Sequence, residues 1–187
     1  MARWEPDGRG RLAQAALDLY LERGFDQTTV AEIAERAGLT ERTFFRHYGD
    51  KREVLFGGQE ALHELISTTI AEQSDSTAPM VAMGAALTAF AELLTQRRDF
   101  ARQRQIVIDA NPSLQERELI KLTSLAATAA GTLRDRGVTE PAASLAAEAG
   151  VAAFRIAFAR WIQADDRGLP EFLTEALRVL ETVTAGR

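Results

Sequence analysis

Residues 28–51 read TTVAEIAERAGLTERTFFRHYGDK, two short apolar-periodic segments on either side of a central AGLT. Thr29 and Glu32 have the spacing of a capping box, which satisfies backbone donors at a helix start. The inner face of the helix they open is Val30, Ile33, Ala34 and Ala37, and Gly38 ends it. Thr40 caps the next helix. There Phe44 and Tyr48 stand four apart and share a face, which can close on Leu17, Phe25, Ile33 and Ala37. Arg42, Thr43, Phe45, Arg46 and His47 must then look away from that core.

Two short helices joined by a turn containing glycine form a helix-turn-helix, whose second helix fits a DNA major groove. The outward residues suit such a partner. Arg42, near the helix start, has the fork that grips guanine in a bidentate pair. Thr43 offers a hydroxyl to phosphate and a methyl to thymine. Thr29 and Thr40 stand at helix N-termini, where free amides favour phosphate, after their first role as caps. Lys51 follows as a candidate clamp on the phosphate backbone. Arg46 reads equally as a surface arginine. His47 reads as a local hydrogen-bonding group rather than a metal ligand, since the other histidine, His63, lies well along the next helix.

The flanking sequence is helical in pattern. Leu12, Ala16, Leu19 and Tyr20 mark a helix that Gly24 ends, and Phe25 is placed to pack back on its last turn. Asp50 with Glu53 reads as a second capping box, opening a fourth helix to about Gln73. Five longer helical patterns follow, separated by SDSTAPM, the region of Gln96, Asn111-Pro112, Gly137 and DDRGLP. Alternating Val, Ile and Thr stretches are missing, so the expected fold is all-α, about nine helices. The domain expectation is a helix-turn-helix domain at 1–52 and a helical effector-binding and dimerisation domain at 53–187.

Composition sets the limits. The chain has 187 residues, is 46% hydrophobic and contains no cysteine, which removes thiolate chemistry and disulfides. The opening MARWEPDGRG is polar, and no uninterrupted apolar run of membrane-spanning length follows, so a cytoplasmic protein without a membrane partner is expected. Net charge is −5, but basic and acidic residues balance through Arg52, so the surplus negative charge lies beyond it. From Thr40 to Arg52 the cations Arg42, Arg46, Lys51 and Arg52 outnumber Glu41 and Asp50.

TTVAEIAERAGLTERTFFRHYGDKREVL resembles the DNA-binding signature of the TetR family of bacterial regulators, and the preceding ALDLYLERGF resembles the end of that family's first helix. The resemblance covers about the first third of the chain. It implies a homodimer on a palindromic operator and a C-terminal domain that binds a small-molecule effector and dimerises, with repression relieved by the effector. Phe45 departs from the pattern. The family usually has tyrosine there, whose hydroxyl commonly meets a phosphate, whereas Phe45 can pack only on sugar or a thymine methyl. Tyr48 stands where phenylalanine is more common.

The remaining sequence yields expectations of three kinds. Gly57-Gly58, placed inside the fourth helix, would let it bend, or would serve close packing. The stretch SLAAEAGVAAFRIAFARWIQ is apolar around most of a helix, and Phe172, Leu173, Leu177, Leu180 and Val183 form a second stripe, which suits dimerisation through the last two helices. Met83, Leu87 and Phe90, with Phe154, Phe158 and Trp161, would line an apolar pocket or fill an ordinary core. Arg104 and Arg155 would orient a ligand there, form salt bridges or cross the dimer seam. No HExxH, glutamate-rich helix pair or phosphate-cradling glycine motif is present, so neither enzyme nor cofactor is expected. The rival reading is a helical small-molecule binder or scaffold that has lost DNA binding.

Overall fold

The computed structural model describes residues 7–185; the polar MARWEP opening lies outside the described residues. Among the described residues there are nine α-helices and no strand. They are α1 (Gly8–Arg23), α2 (Val30–Arg36), α3 (Glu41–His47), α4 (Gln59–Ala71), α5 (Pro79–Thr95), α6 (Arg98–Asp109), α7 (Pro112–Asp135), α8 (Ala142–Trp161) and α9 (Leu169–Thr184). The chain divides into two compact units. One comprises the residues through Gly57 with Arg102–Glu118, the other Gly58–Ala101 with Leu119 onward.

In the first unit the local signals act as read. Thr29 Oγ1 accepts from the Glu32 amide at 3.3 Å, and Glu32 Oε2 accepts from the Thr29 amide at 2.8 Å, closing the box that starts α2. Thr40 Oγ1 accepts from the Thr43 amide at 3.2 Å and starts α3. Gly24 and Gly38 take the left-handed backbone (φ 89° and 67°) that ends the preceding helices, a conformation side chains resist. Leu12, Leu17, Ile33 and Phe44 are fully buried and tie α1, α2 and α3 together.

The fourth helix is shorter than its capping signal implies. Asp50 Oδ1 does accept from the Arg52 and Glu53 amides at 2.8 and 3.1 Å. The Glu53 carboxylate pairs with Arg117. Only a 3₁₀ turn, Glu53–Phe56, forms there. Gly57 is then extended (ψ 151°) and Gly58 left-handed (φ 87°), so α4 starts afresh at Gln59. The glycine pair therefore breaks the helix rather than lying within it.

Tyr20 shows how closely the first unit is tied. Its hydroxyl donates to the Lys51 carbonyl at 2.7 Å, and its ring meets Phe25 edge-on at 5.1 Å. Burial, then the charge of Asp50, pushes its pKa well above the ordinary value. In the unfolded chain the phenol ionises near pH 10, whereas the folded site keeps it neutral. The resulting stabilisation is complete below about pH 10 and is lost as pH rises beyond it. Tyr20→Phe is expected to be about 1 kcal/mol less stable at neutral pH, from the lost hydrogen bond, and to unfold less steeply above about pH 10. Urea titrations at pH 7 and pH 11 would check both; equal alkaline slopes in the two proteins would refute the assignment.

The second unit packs α5 against α8 and α9, with α4 along α5. Gly150 makes the α5–α8 approach possible, because a Cβ there would stand 2.5 Å from Met83 Cγ. Helix α8 is long and apolar enough to cross a membrane by length and composition. Its Ala147, Val151, Phe154, Ala157 and Trp161 are instead buried in the unit's core.

Candidate nucleic-acid interface

Helix α3 divides its side chains as its spacing requires. Phe44 and Tyr48 are buried, and the Tyr48 hydroxyl donates to the Arg9 carbonyl at 3.1 Å, anchoring the end of α3 on α1. Arg42, Phe45 and Arg46 are exposed, and Thr43 and His47 half-buried. Arg42, Thr43, Phe45 and Arg46 together line a shallow dent on the outer face of the helix.

The ion pairs of this unit sharpen the picture. Arg36 grips Glu22 with both guanidinium nitrogens at 2.8 Å, Arg23 pairs with Glu32 at 2.6 Å and Arg52 with Asp50 at 2.6 Å. Arg42 and Arg46 have no ion pair or hydrogen bond among the described residues. Unpaired guanidiniums beside an exposed ring on one helix face can meet phosphates and base edges without first breaking an internal contact.

The threonines act mainly within the protein. The Thr29 hydroxyl donates to Glu32 Oε2 at 2.8 Å; the Thr29 amide and hydroxyl, then Arg23, hold the Glu32 carboxyl below the usual carboxylate range. That carboxylate already occupies the start of α2. Thr40 and Thr43 share a hydroxyl–hydroxyl bond of 3.1 Å. Lys51 is likewise committed, its ammonium donating to the carbonyls of Phe25, Asp26 and Thr28 at 2.8, 3.3 and 3.0 Å and lying 4.4 Å from the Phe25 ring centre. It holds the turn that leads into α2. Thr28, passed over in the sequence, is buried and donates to the Gly24 carbonyl at 2.9 Å in the same turn. A Lys late in the motif and a Thr before the cap carried no local sign of this meeting.

Of the candidate ligand residues, Met83 and Leu87 are fully buried in the second unit. Phe90, Phe154, Phe158 and Trp161 form a continuous row there, with successive ring centres 5.2, 6.1 and 5.6 Å apart. Arg155 is on the exposed face of α8. Arg104 belongs to the first unit, where it pairs with Glu118 at 3.0 Å. The structure thus brings six of the eight together and leaves both arginines out of the group. Two buried ring nitrogens in the second unit, His63 Nε2 and Trp161 Nε1, have no hydrogen-bond partner among the described residues; the opposite nitrogen of His63 meets the Thr128 hydroxyl at 2.9 Å. Nothing in the local sequence around His63 or Trp161 signalled this. Among the described residues no cluster of His, Asp and Glu could hold a metal ion.

Comparison with known proteins agrees with this arrangement. Residues 12–57 match the profile of bacterial regulatory proteins of the tetR family, and residues 77–185 match that of the MftR C-terminal domain. The HTH-type transcriptional regulator TcmR of Streptomyces glaucescens is 36% identical over 81 residues, 43% of this chain and 36% of that protein. MftR of Mycobacterium tuberculosis, named as a candidate transcriptional regulator of mycofactocin biosynthesis, is 30% identical over 105 residues, 56% of this chain and 52% of that protein. The matches thus span about a third and about half of those two relatives. The TetR-family repressor FadR of Thermus thermophilus, solved with lauroyl-CoA, superposes with a TM-score of 0.55 at 26% identity, covering 92% of each chain.

Proposed function

The chain is a transcriptional regulator of the bacterial TetR family, and from that premise we propose that it is a repressor that binds a palindromic operator as a homodimer and leaves it when a small molecule binds. Residues 1–52 then serve as the DNA-binding domain, and residues 53–187 receive the effector and dimerise. The observation that carries this reading is the outer face of α3, where Arg42 and Arg46, unpaired among the described residues, stand beside exposed Phe45.

The homodimer is supported by apolar side chains that α8 and α9 leave in water. Leu145, Ile156, Val179 and Val183 are between 46% and 70% exposed, a pattern that suits a second copy of the same two helices. For the effector, the aromatic row from Phe90 to Trp161 favours a ligand with a large apolar part. Acyl-CoA thioesters are the first class to test, given the lauroyl-CoA of the Thermus thermophilus FadR structure.

Selection of bound sequences from random duplex DNA tests the reading, with native protein and Arg42→Ala side by side. The native protein is expected to enrich a palindrome whose affinity falls steeply with salt. Arg42→Ala is expected to lose about 1–3 kcal/mol of discrimination at one base pair of each half-site. No enriched sequence at low salt would overturn the assignment.

A further inference from the structure

Phe45 is the one aromatic side chain among the exposed large apolar residues of the described chain, with 56% of its surface in water. Its ring does not hang free. It stands edge-on to Phe44, centres 5.4 Å apart and planes at 81°, and Phe44 is itself fully buried. The exposed ring is therefore held in place before any partner arrives, at the edge of the dent it shares with Arg42, Thr43 and Arg46.

A phenyl ring neither donates nor accepts a conventional hydrogen bond, so phosphate oxygens and the polar base edges give it no directed contact. The apolar group that a major groove offers in a sequence-dependent place is the C5 methyl of thymine. Covering that methyl removes water from both surfaces at once. We infer that Phe45 is a specificity-determining residue that selects thymine, through its C5 methyl, at one position of each operator half-site. This rests on the reading of α3 as the recognition helix.

Deoxyuridine provides the test, because it pairs as thymine does and differs only by the missing methyl. Each thymine of the selected operator is replaced singly and binding is titrated. One position in each half-site is expected to lose about fourfold in affinity, the effect of burying one methyl-sized group. Replacing both should lose about fifteenfold, the product of two independent contacts. In Phe45→Ala the same replacements should leave affinity unchanged, while Phe45→Leu, which keeps an apolar branch, should retain part of the discrimination. Thermal melting verifies that both variants fold. A flat uracil scan with native protein, or a loss that persists undiminished in Phe45→Ala, overturns the inference while leaving the regulator intact. Failure to select any operator removes the recognition-helix reading, and this inference with it.

Discussion

Phe44→Ala is expected to destabilise the first unit by about 3–5 kcal/mol and to abolish operator binding, although Phe44 faces inward. Helix α3 has only seven residues, and isolated helices shorter than about 12–15 residues are marginal in water. Its persistence therefore depends on packing. Phe44 is fully buried and meets the Tyr48 ring at 5.7 Å and the Phe45 ring at 5.4 Å. Truncation leaves a cavity where these rings meet and removes the support of Phe45. Because whole-domain stabilities are about 5–15 kcal/mol, a substantial unfolded fraction is expected at 37 °C. The neighbouring Phe45→Ala should stay within about 0.5 kcal/mol of native stability, as exposed substitutions usually do. Urea denaturation followed by circular dichroism, with DNA titration on the same samples, separates the two; a native midpoint for Phe44→Ala would refute the packing argument.

Arg104→Ala is expected to lower the stability of the same unit by about 2–3 kcal/mol, somewhat less than the ~3–5 kcal/mol of a fully buried pair. The discount reflects exposure, since 19% of the Arg104 side chain and 25% of that of Glu118 still meet solvent. Arg104 Nε donates to the Leu55 carbonyl at 2.8 Å and Nη1 to Glu118 Oε1 at 3.0 Å. The guanidinium also lies 4.9 Å from the Phe56 ring centre. Burial pulls its pKa below the ordinary value, with the Glu118 charge opposing. Removing Arg104 strands a carboxylate and a carbonyl together. The double variant Arg104→Met with Glu118→Leu removes the charge along with its partner and should regain all but about 1 kcal/mol, the residue of the unpaired Leu55 carbonyl. A double-mutant cycle measured by urea midpoints gives the coupling. A single variant within about 0.5 kcal/mol of native would place the pair with inert surface bridges.

Helices were legible wherever the determining signal was local. The Thr29–Glu32 box, the Thr40 cap and the end at Gly24 each involve residues within one turn, and all appear as read. The division of Phe44 from Phe45 was also legible, because Tyr48 one turn later marks the inner face. At Asp50 the same kind of signal misled. The Asp50 cap is present, but Glu53 has Arg117 as a partner from far along the chain, and Gly58 adopts a backbone that no helix permits. Lys51 and Arg104 were illegible for a related reason. Lys51 donates to main-chain carbonyls, and so does Arg104 Nε; every residue carries these groups and sequence cannot tell them apart. The other partner of Arg104, Glu118, lies on a different helix. The apolar stripes of α5 and α8 identify buried residues, but the polar atoms that would distinguish a ligand site from a plain core lie on His63 and Trp161. These lack a partner for one ring nitrogen each among the described residues, and that depends on tertiary packing.

The carbonyl cradle around Lys51 also bears on digestion of the single peptide bond that follows it. Trypsin must draw a lysine out full length into its own pocket, and here that chain is folded back onto Phe25, Asp26 and Thr28. Cleavage after Lys51 then waits on local opening of the turn, so its rate follows the opening equilibrium when reclosing is fast. Limited proteolysis at this one bond becomes a clock for the integrity of the turn ahead of α2, readable by mass alone and without any DNA in the tube.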